Sequence, residues 1–122
     1  MADAPIVSGP GDGERFESSN RSVTIRVDLP GLSINVIEFD ETFEVPPHDH
    51  DDHVDAFYVL DGEVRFTVGD ETIVAGPGTL VAAPPNTRHG FAGVGGTARV
   101  LNFHAPDAGF SDWIRKQNRP RS

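Results

Sequence analysis

From Ser22 onward the chain is cut into short runs rich in β-branched and aromatic residues, with turn chemistry every eight to twelve residues. That spacing favours strands and leaves little room for long helices. The runs are Ser22 to Asp28, Leu32 to Phe39, Glu41 to Val45, Asp55 to Leu60, Glu63 to Val68, Glu71 to Ala75, Thr79 to Ala83, His89 to Ala92 and Thr97 to His104. Asp61-Gly62 sits between two of them and supplies the positive-φ pair of a type I′ hairpin, as Gly69-Asp70 and Gly95-Gly96 can elsewhere. Pro30-Gly31, Pro46-Pro47, Pro77 and Pro84-Pro85 lie at run ends, where a missing amide donor interrupts no ladder. The pattern predicts an all-β fold. One stretch departs from it: over Phe110 to Asn118, Ser111 can cap, Asp112 sits in the first turn and Arg115-Lys116 near the end, which predicts a short C-terminal helix. Residues 1–14 are rich in Gly, Pro and Asp and read as a flexible or edge-lying arm. This assigns 15–108 to the β domain and 109–122 to the helix and a basic tail. That tail carries Arg115, Lys116, Arg119 and Arg121, which either pair with the acidic body or stay solvated.

With 122 residues the chain is long enough for one core and too short for two. Ten Lys and Arg against 19 Asp and Glu leave a net charge of −9, which repels a phosphate backbone and argues against a nucleic-acid partner. The absence of Cys removes disulfides, thiolate zinc sites, iron–sulfur clusters and cysteine nucleophiles together. No window approaches the ~20 apolar residues of a membrane span, and the N-terminus has neither a basic nor an apolar targeting region. A cytoplasmic protein with no membrane partner is the expectation. Among strong metal ligands only imidazole and carboxylate remain.

Three of the five His fall within the stretch His48-Asp49-His50-Asp51-Asp52-His53, just before Val54-Asp55. On an extended segment His48 and His50 share a face with Cα atoms about 7 Å apart, near enough for both rings to meet one ion. Asp55 shares a face with Phe57 and Val59, and a carboxylate heading an apolar face needs a partner such as a metal ion. His89 reaches the same point only if the strands close into a barrel. Such a set suits Mn, Fe, Co, Ni, Cu or Zn and leaves coordination positions open for a substrate. The same stretch also reads as a solvated acidic turn, or as a helix that then collides with the strand-like Tyr58-Val59-Leu60. A calcium loop fits worse, lacking the central Gly and terminal Glu.

These residues resemble the cupin superfamily, whose motifs are G-x5-H-x-H-x3/4-E-x6-G and G-x5-P-x-G-x2-H-x3-N. The first is matched by His48, His50, Asp55 and Gly62, the second by Gly78, Pro84, Asn86 and His89, and the likeness runs from about Leu32 to Phe103. It implies a double-stranded β-helix, a jelly-roll barrel, with one divalent transition metal ion on His48, His50, Asp55 and His89. Thr42, Asn86 and Gly93 replace motif Gly, Gly and Asn, which are turn changes. Asp55 in the Glu position is the larger departure, because its side chain is a methylene shorter. Three arrangements stay open: Asp55 ligates directly, His53 substitutes for it, or three His hold the ion with Asp55 behind them.

The resemblance does not fix a reaction, since cupins span enzymes, storage proteins and regulators. The first expectation is a metal-dependent enzyme, oxidoreductase (dioxygenase-like) or isomerase, acting on a small organic substrate, with Asp55 as ligand or base. The alternatives are a non-catalytic small-molecule-binding domain and a scaffold. Phe57, Val59, Phe66, Phe91 and Phe103 are candidates to line a pocket, although aromatic residues at strand spacing also build cores. Arg88 and Arg99 are candidates to clamp a carboxylate or to pair at the surface. Asn102 and His104 share a phase on the last run and face either cavity or solvent. The apolar alternate face of Ala56, Tyr58 and Leu60 points to a homodimer.

Overall fold

The structure, a computed structural model, describes residues 4–49, 52–107 and 109–117. In chain order these form β1 Glu14–Glu17, β2 Arg21–Leu29, β3 Leu32–Phe39, β4 Glu44–His48, β5 Val54–Asp61, β6 Val64–Val68, β7 Glu71–Ala75, β8 Leu80–Ala83, β9 His89–Gly93, β10 Ala98–Ala105 and α1 Phe110–Gln117. A six-stranded sheet, β1-β2-β3-β10-β5-β8, faces a four-stranded sheet, β4-β9-β6-β7, and the pairings are antiparallel. This is the expected all-β jelly roll with one short C-terminal helix.

Strict alternation on β3, β5 and β10 turns every second side chain inward, and the register grades that inner face from apolar to polar. Ile37, Val100 and Val59 stand side by side in the middle of the sheet. Two residues along come Asn35, Asn102 and Phe57, and two further Ser33, His104 and Asp55. The apolar end packs with Val23, Val64, Phe66 and Phe39 as the core. One end of the barrel is therefore sealed by hydrocarbon and the other is lined by buried polar groups.

Four local expectations are revised. β4 begins at Glu44 instead of Glu41, because Asp40 closes a turn: its carboxylate accepts from the Thr42 backbone N–H at 2.8 Å, and its carbonyl accepts from Phe43 N–H at 3.2 Å. Pro46 and Pro47 lie inside β4, which tolerates them because it is an edge strand whose register shifts between Val45 and His48. β1, with charged side chains flanking Phe16, carries too little alternation to have been recognised, yet pairs fully with β2. Ser111 is not the helix cap; Trp113 N–H donates to Gly109 O at 2.9 Å, so Ser111 lies in the first turn and is buried.

The helix brings Ile114 into the core and is strapped to the body by Arg115, which bonds Glu14 on β1 at 2.8 Å and Asp28 on β2 at 2.9 Å. Arg119 and Arg121 lie outside the described residues. On the arm, the Arg26 guanidinium donates to Ser8 Oγ at 2.6 Å and Gly9 O at 2.7 Å, holding these residues against β2.

Candidate metal centre

Asp55 heads β5 at the polar end of the barrel and is the hub of the buried polar groups. Its Oδ2 lies 2.9 Å from His89 Nε2, and its Oδ1 accepts from the Asn102 amide at 2.6 Å and faces His104 Nε2 at 3.3 Å. His89 starts β9 and pairs across the ladder with His48 at the end of β4, their ring centroids 4.6 Å apart. The two strands can approach because residue 90 is glycine: a Cβ there would meet Val45 O at 2.5 Å. Asn86, where the motif has Gly, holds φ at 65°, a conformation Asn tolerates.

The backbone sets the tautomers. His48 Nδ1–H donates to Pro46 O and His89 Nδ1–H to Thr87 O, each at 2.9 Å, so the neutral rings carry their lone pairs on Nε2. His89 then has acceptors at both nitrogens. A neutral imidazole has only one N–H, so the contact from Nε2 to Asp55 Oδ2 requires either a further proton, on the ring or on the carboxyl, or a metal ion shared by the two atoms. The electrostatics agree. Burial pushes the Asp55 carboxyl up, but its polar contacts with His104, His89 and Asn102 outweigh it and hold the group well below the usual carboxylate range. Burial lowers His89, but the bonds to Asp55 and to Thr87 O and the charges of Asp55 and Asp49 together outweigh it, raising the group.

The ligand atoms of His48, Asp55 and His89 lie within 4.8 Å of one another, and so do those of His53, Asp55 and His104. An ion with bonds of about 2.1 Å holds right-angled neighbours about 3.0 Å apart, close to the 2.9 Å seen between His89 and Asp55. The residues therefore fit a transition metal. His50, expected as a ligand, lies outside the described residues. His53, held in reserve as a substitute ligand, is buried, with Nδ1 2.8 Å from Asp52 Oδ1. His104 turns inward; its Nδ1 lies 3.4 Å from Ser33 Oγ and its ring is edge-on to His53.

His48, His53, Asp55 and His104 open onto a cavity of ≈ 1110 Å³, walled by Phe43, Phe57 and Phe91 and flanked on the helix side by Phe110 and Trp113. Of the candidate pocket residues, Phe57 and Phe91 line it. Val59 and Phe66 do not, being packed into the core at the apolar end. Phe103 is also corrected: with Asn102 and His104 inward, alternation turns it to the outer face of β10. Arg88 is exposed, and Arg99 lies 3.9 Å from Glu38 at the surface. Sequence reasoning passed over Arg21, which lines the cavity and whose Nη1 is buried without a hydrogen-bond partner. Its position at a strand start beside Asn20 carried no signal.

Residues 35–104 match the Cupin domain family. The chain is a cupin. The match covers β4 to β9 whole and most of β3 and β10, including each described residue of the centre except Ser33. Among solved structures, an RmlC-like cupin from Shewanella frigidimarina superposes with a TM-score of 0.79 at 20% identity, over 91% of this chain and 99% of that one. KdgF from Halomonas sp. gives 0.78 at 21%, over 85% and 97%. Pac13 of Streptomyces, a nucleoside dehydratase, gives 0.69 at 21%, over 89% and 88%. At these identities the likeness is one of fold. No curated protein matches the sequence. Among the described residues, no helix is long and apolar enough to cross a membrane.

Proposed function

We propose that this cupin holds a divalent transition metal ion on His48, His50, Asp55 and His89 and is an enzyme acting on a small organic molecule. The observation that carries the reading is the His89–Asp55 contact, in which a ring already donating from Nδ1 meets a carboxylate through Nε2. When bound, the ion supplies Lewis-acid polarisation of a substrate oxygen or, for a redox-active metal, electron transfer, so both isomerase-like and dioxygenase-like chemistry remain within reach. The chain does the rest. Thr87 O and Pro46 O orient the imidazoles, and the Asn102 amide fixes the Asp55 carboxylate. Phe43, Phe57 and Phe91 form a wall that excludes water. Asp49 and Asp52 line the cavity as acceptors for a proton leaving the substrate. Pac13, of the same fold, is known with uridine, which supports a small organic occupant.

A second reading, a binding domain without turnover, is favoured by one feature. Protonated His89 with Asn102 satisfies Asp55 from within the protein, so the pocket is complete without an ion. Elemental analysis of untagged protein separates the two. A transition metal in wild type that is lost from His89→Ala supports the enzyme and justifies screening turnover and oxygen consumption. No ion after reconstitution leaves the binding domain.

The outer face of β5, β8 and β10, with Tyr58, Leu80, Leu101 and Phe103, supports a homodimer, since Leu80 is 67% exposed. Light scattering of wild type and Leu80→Glu tests it. A cytoplasmic location belongs to the same proposal, and cell fractionation tests it.

A further inference from the structure

All four described histidines of the chain, not only the two matching the family motifs, gather around one carboxylate. His89 faces Oδ2 of Asp55 and groups with His48, and His53 and His104 form the other group of candidate ligands, with His104 facing Oδ1. We propose that His53, Asp55 and His104 form a second divalent-cation site, with Asp55 bridging two ions through its two oxygens. The inference rests on the reading of His48, Asp55 and His89 as a metal site.

The donor chemistry supports it. His53 has Nδ1 committed to Asp52, so the neutral ring carries its lone pair on Nε2. His104 has Nδ1 beside the Ser33 hydroxyl, which can donate to it or accept from it, and directs Nε2 at Asp55. The spacing from His104 Nε2 to Asp55 Oδ1, 3.3 Å, is long for a charge-assisted hydrogen bond of about 2.7–2.9 Å. It is close to the roughly 3.3 Å edge of a tetrahedron of ligands at about 2.0 Å. An ionised carboxylate has about four acceptor positions. Asn102 takes one on Oδ1 and leaves room there for an ion, while Oδ2 serves the first.

Burial and charge point the same way. His53, Asp55 and His104 are each 5% exposed or less, and buried imidazoles beside a carboxylate call for a cation to share. The cavity is lined by Glu44, Asp49, Asp52 and Asp55; among the described lining residues, Arg21 is the one cationic side chain apart from the imidazoles. Two imidazoles and a carboxylate select a borderline transition ion such as zinc, cobalt or nickel over calcium or magnesium.

The test is stoichiometric. Metal-stripped protein is dialysed against zinc, freed of excess and analysed for zinc per chain. Wild type is expected to hold two equivalents, and His104→Asn and His53→Ala one each, with circular dichroism confirming the fold. In manganese-loaded protein, the wild-type electron paramagnetic resonance spectrum is expected to be broadened by coupling, and that of His104→Asn to show an isolated six-line signal. One equivalent in wild type, or two retained by folded His104→Asn, overturns the second site. The former leaves the first site standing, whereas no zinc in wild type overturns both.

Discussion

Asp55→Asn should separate what the carboxylate does for folding from what it does for metal. In metal-free protein the replacement is nearly isosteric. The new amide oxygen can keep the Asn102 bond, now 2.6 Å, and the new amide N–H can donate to Nε2 of a neutral His89 whose Nδ1–H remains on Thr87 O. Hydrogen bonds to charged groups are worth about 1.5–3 kcal/mol and neutral ones about 0.5–1.5, so downgrading the contacts to His89 and His104 should cost about 1–2 kcal/mol. Asp55→Ala is different: it strips the carboxylate from the Asn102 amide, which keeps only Ala56 O at 3.1 Å, and from Nε2 of His89, and opens a void, so it should cost about 3–5 kcal/mol. Urea unfolding in chelator, followed by far-UV circular dichroism, measures both. With metal the order changes. Substitutions behind a metal ligand typically cost 10- to 100-fold in affinity, so loss of an anionic ligand should weaken binding by at least about 100-fold in either variant. Equal destabilisation of the metal-free protein by Asn and Ala would refute the hydrogen-bond account. Undiminished metal affinity in Asp55→Asn would refute the assignment of Asp55 as a ligand.

The pH dependence of metal-free protein follows from the two opposed shifts. Asp55 is depressed, so its contribution is present above about 3.9 and lost as pH falls toward its folded value; His89 is raised, so its contribution is full below about 6.5 and lost as pH rises through its folded value. Metal-free stability should peak between these limits, whereas metal affinity should rise with pH as the imidazoles deprotonate, and thermal melts from pH 4 to 9 with and without zinc check both. Gly90→Ala places a Cβ 2.5 Å from Val45 O and should cost about 1–3 kcal/mol while moving His48 from His89, so that zinc affinity falls with stability; unchanged affinity would show that the pair is set elsewhere. Arg115→Ala should cost no more than about 1 kcal/mol, because its ion pairs are solvent-screened, and leave zinc stoichiometry unchanged, as urea unfolding and elemental analysis would show.

The barrel was legible in the sequence because β-branched alternation and Gly turns are local signals. Runs such as Leu32–Phe39 and Glu71–Ala75 coincide with β3 and β7 in full. β1 was missed because three charged residues and one Phe carry no period, and its pairing with β2 is a tertiary fact. The same division holds at the centre. His48 and His89 were legible through motif spacing, and the structure sets them in adjacent strands. The inward turn of Asn102 and His104 was not, because alternation gives two phases and only the opposite neighbours Asp55 and Ser33 decide between them. Phe103 was assigned to the pocket by its ring, yet its phase on β10 is the opposite of theirs.

The aspartate in a position where the motif has glutamate then gains a physical meaning. A longer side chain would carry its carboxylate further from β5, away from partners that sit opposite the backbone: Asn102 across from Phe57 and His104 across from Asp55 itself. A short one keeps Oδ1 within 2.6 Å of Asn102 while Oδ2 still comes within 2.9 Å of His89 on the facing sheet. Asp55 therefore spans the two sheets at the polar end of the barrel, and His104, Asn102 and Ser33 line the six-stranded side of that junction. The inward Asn102 and His104 of β10 are explained together by this one carboxylate, since each buried group facing it lowers the cost of burying its charge, and Ser33 on β3 stands behind His104.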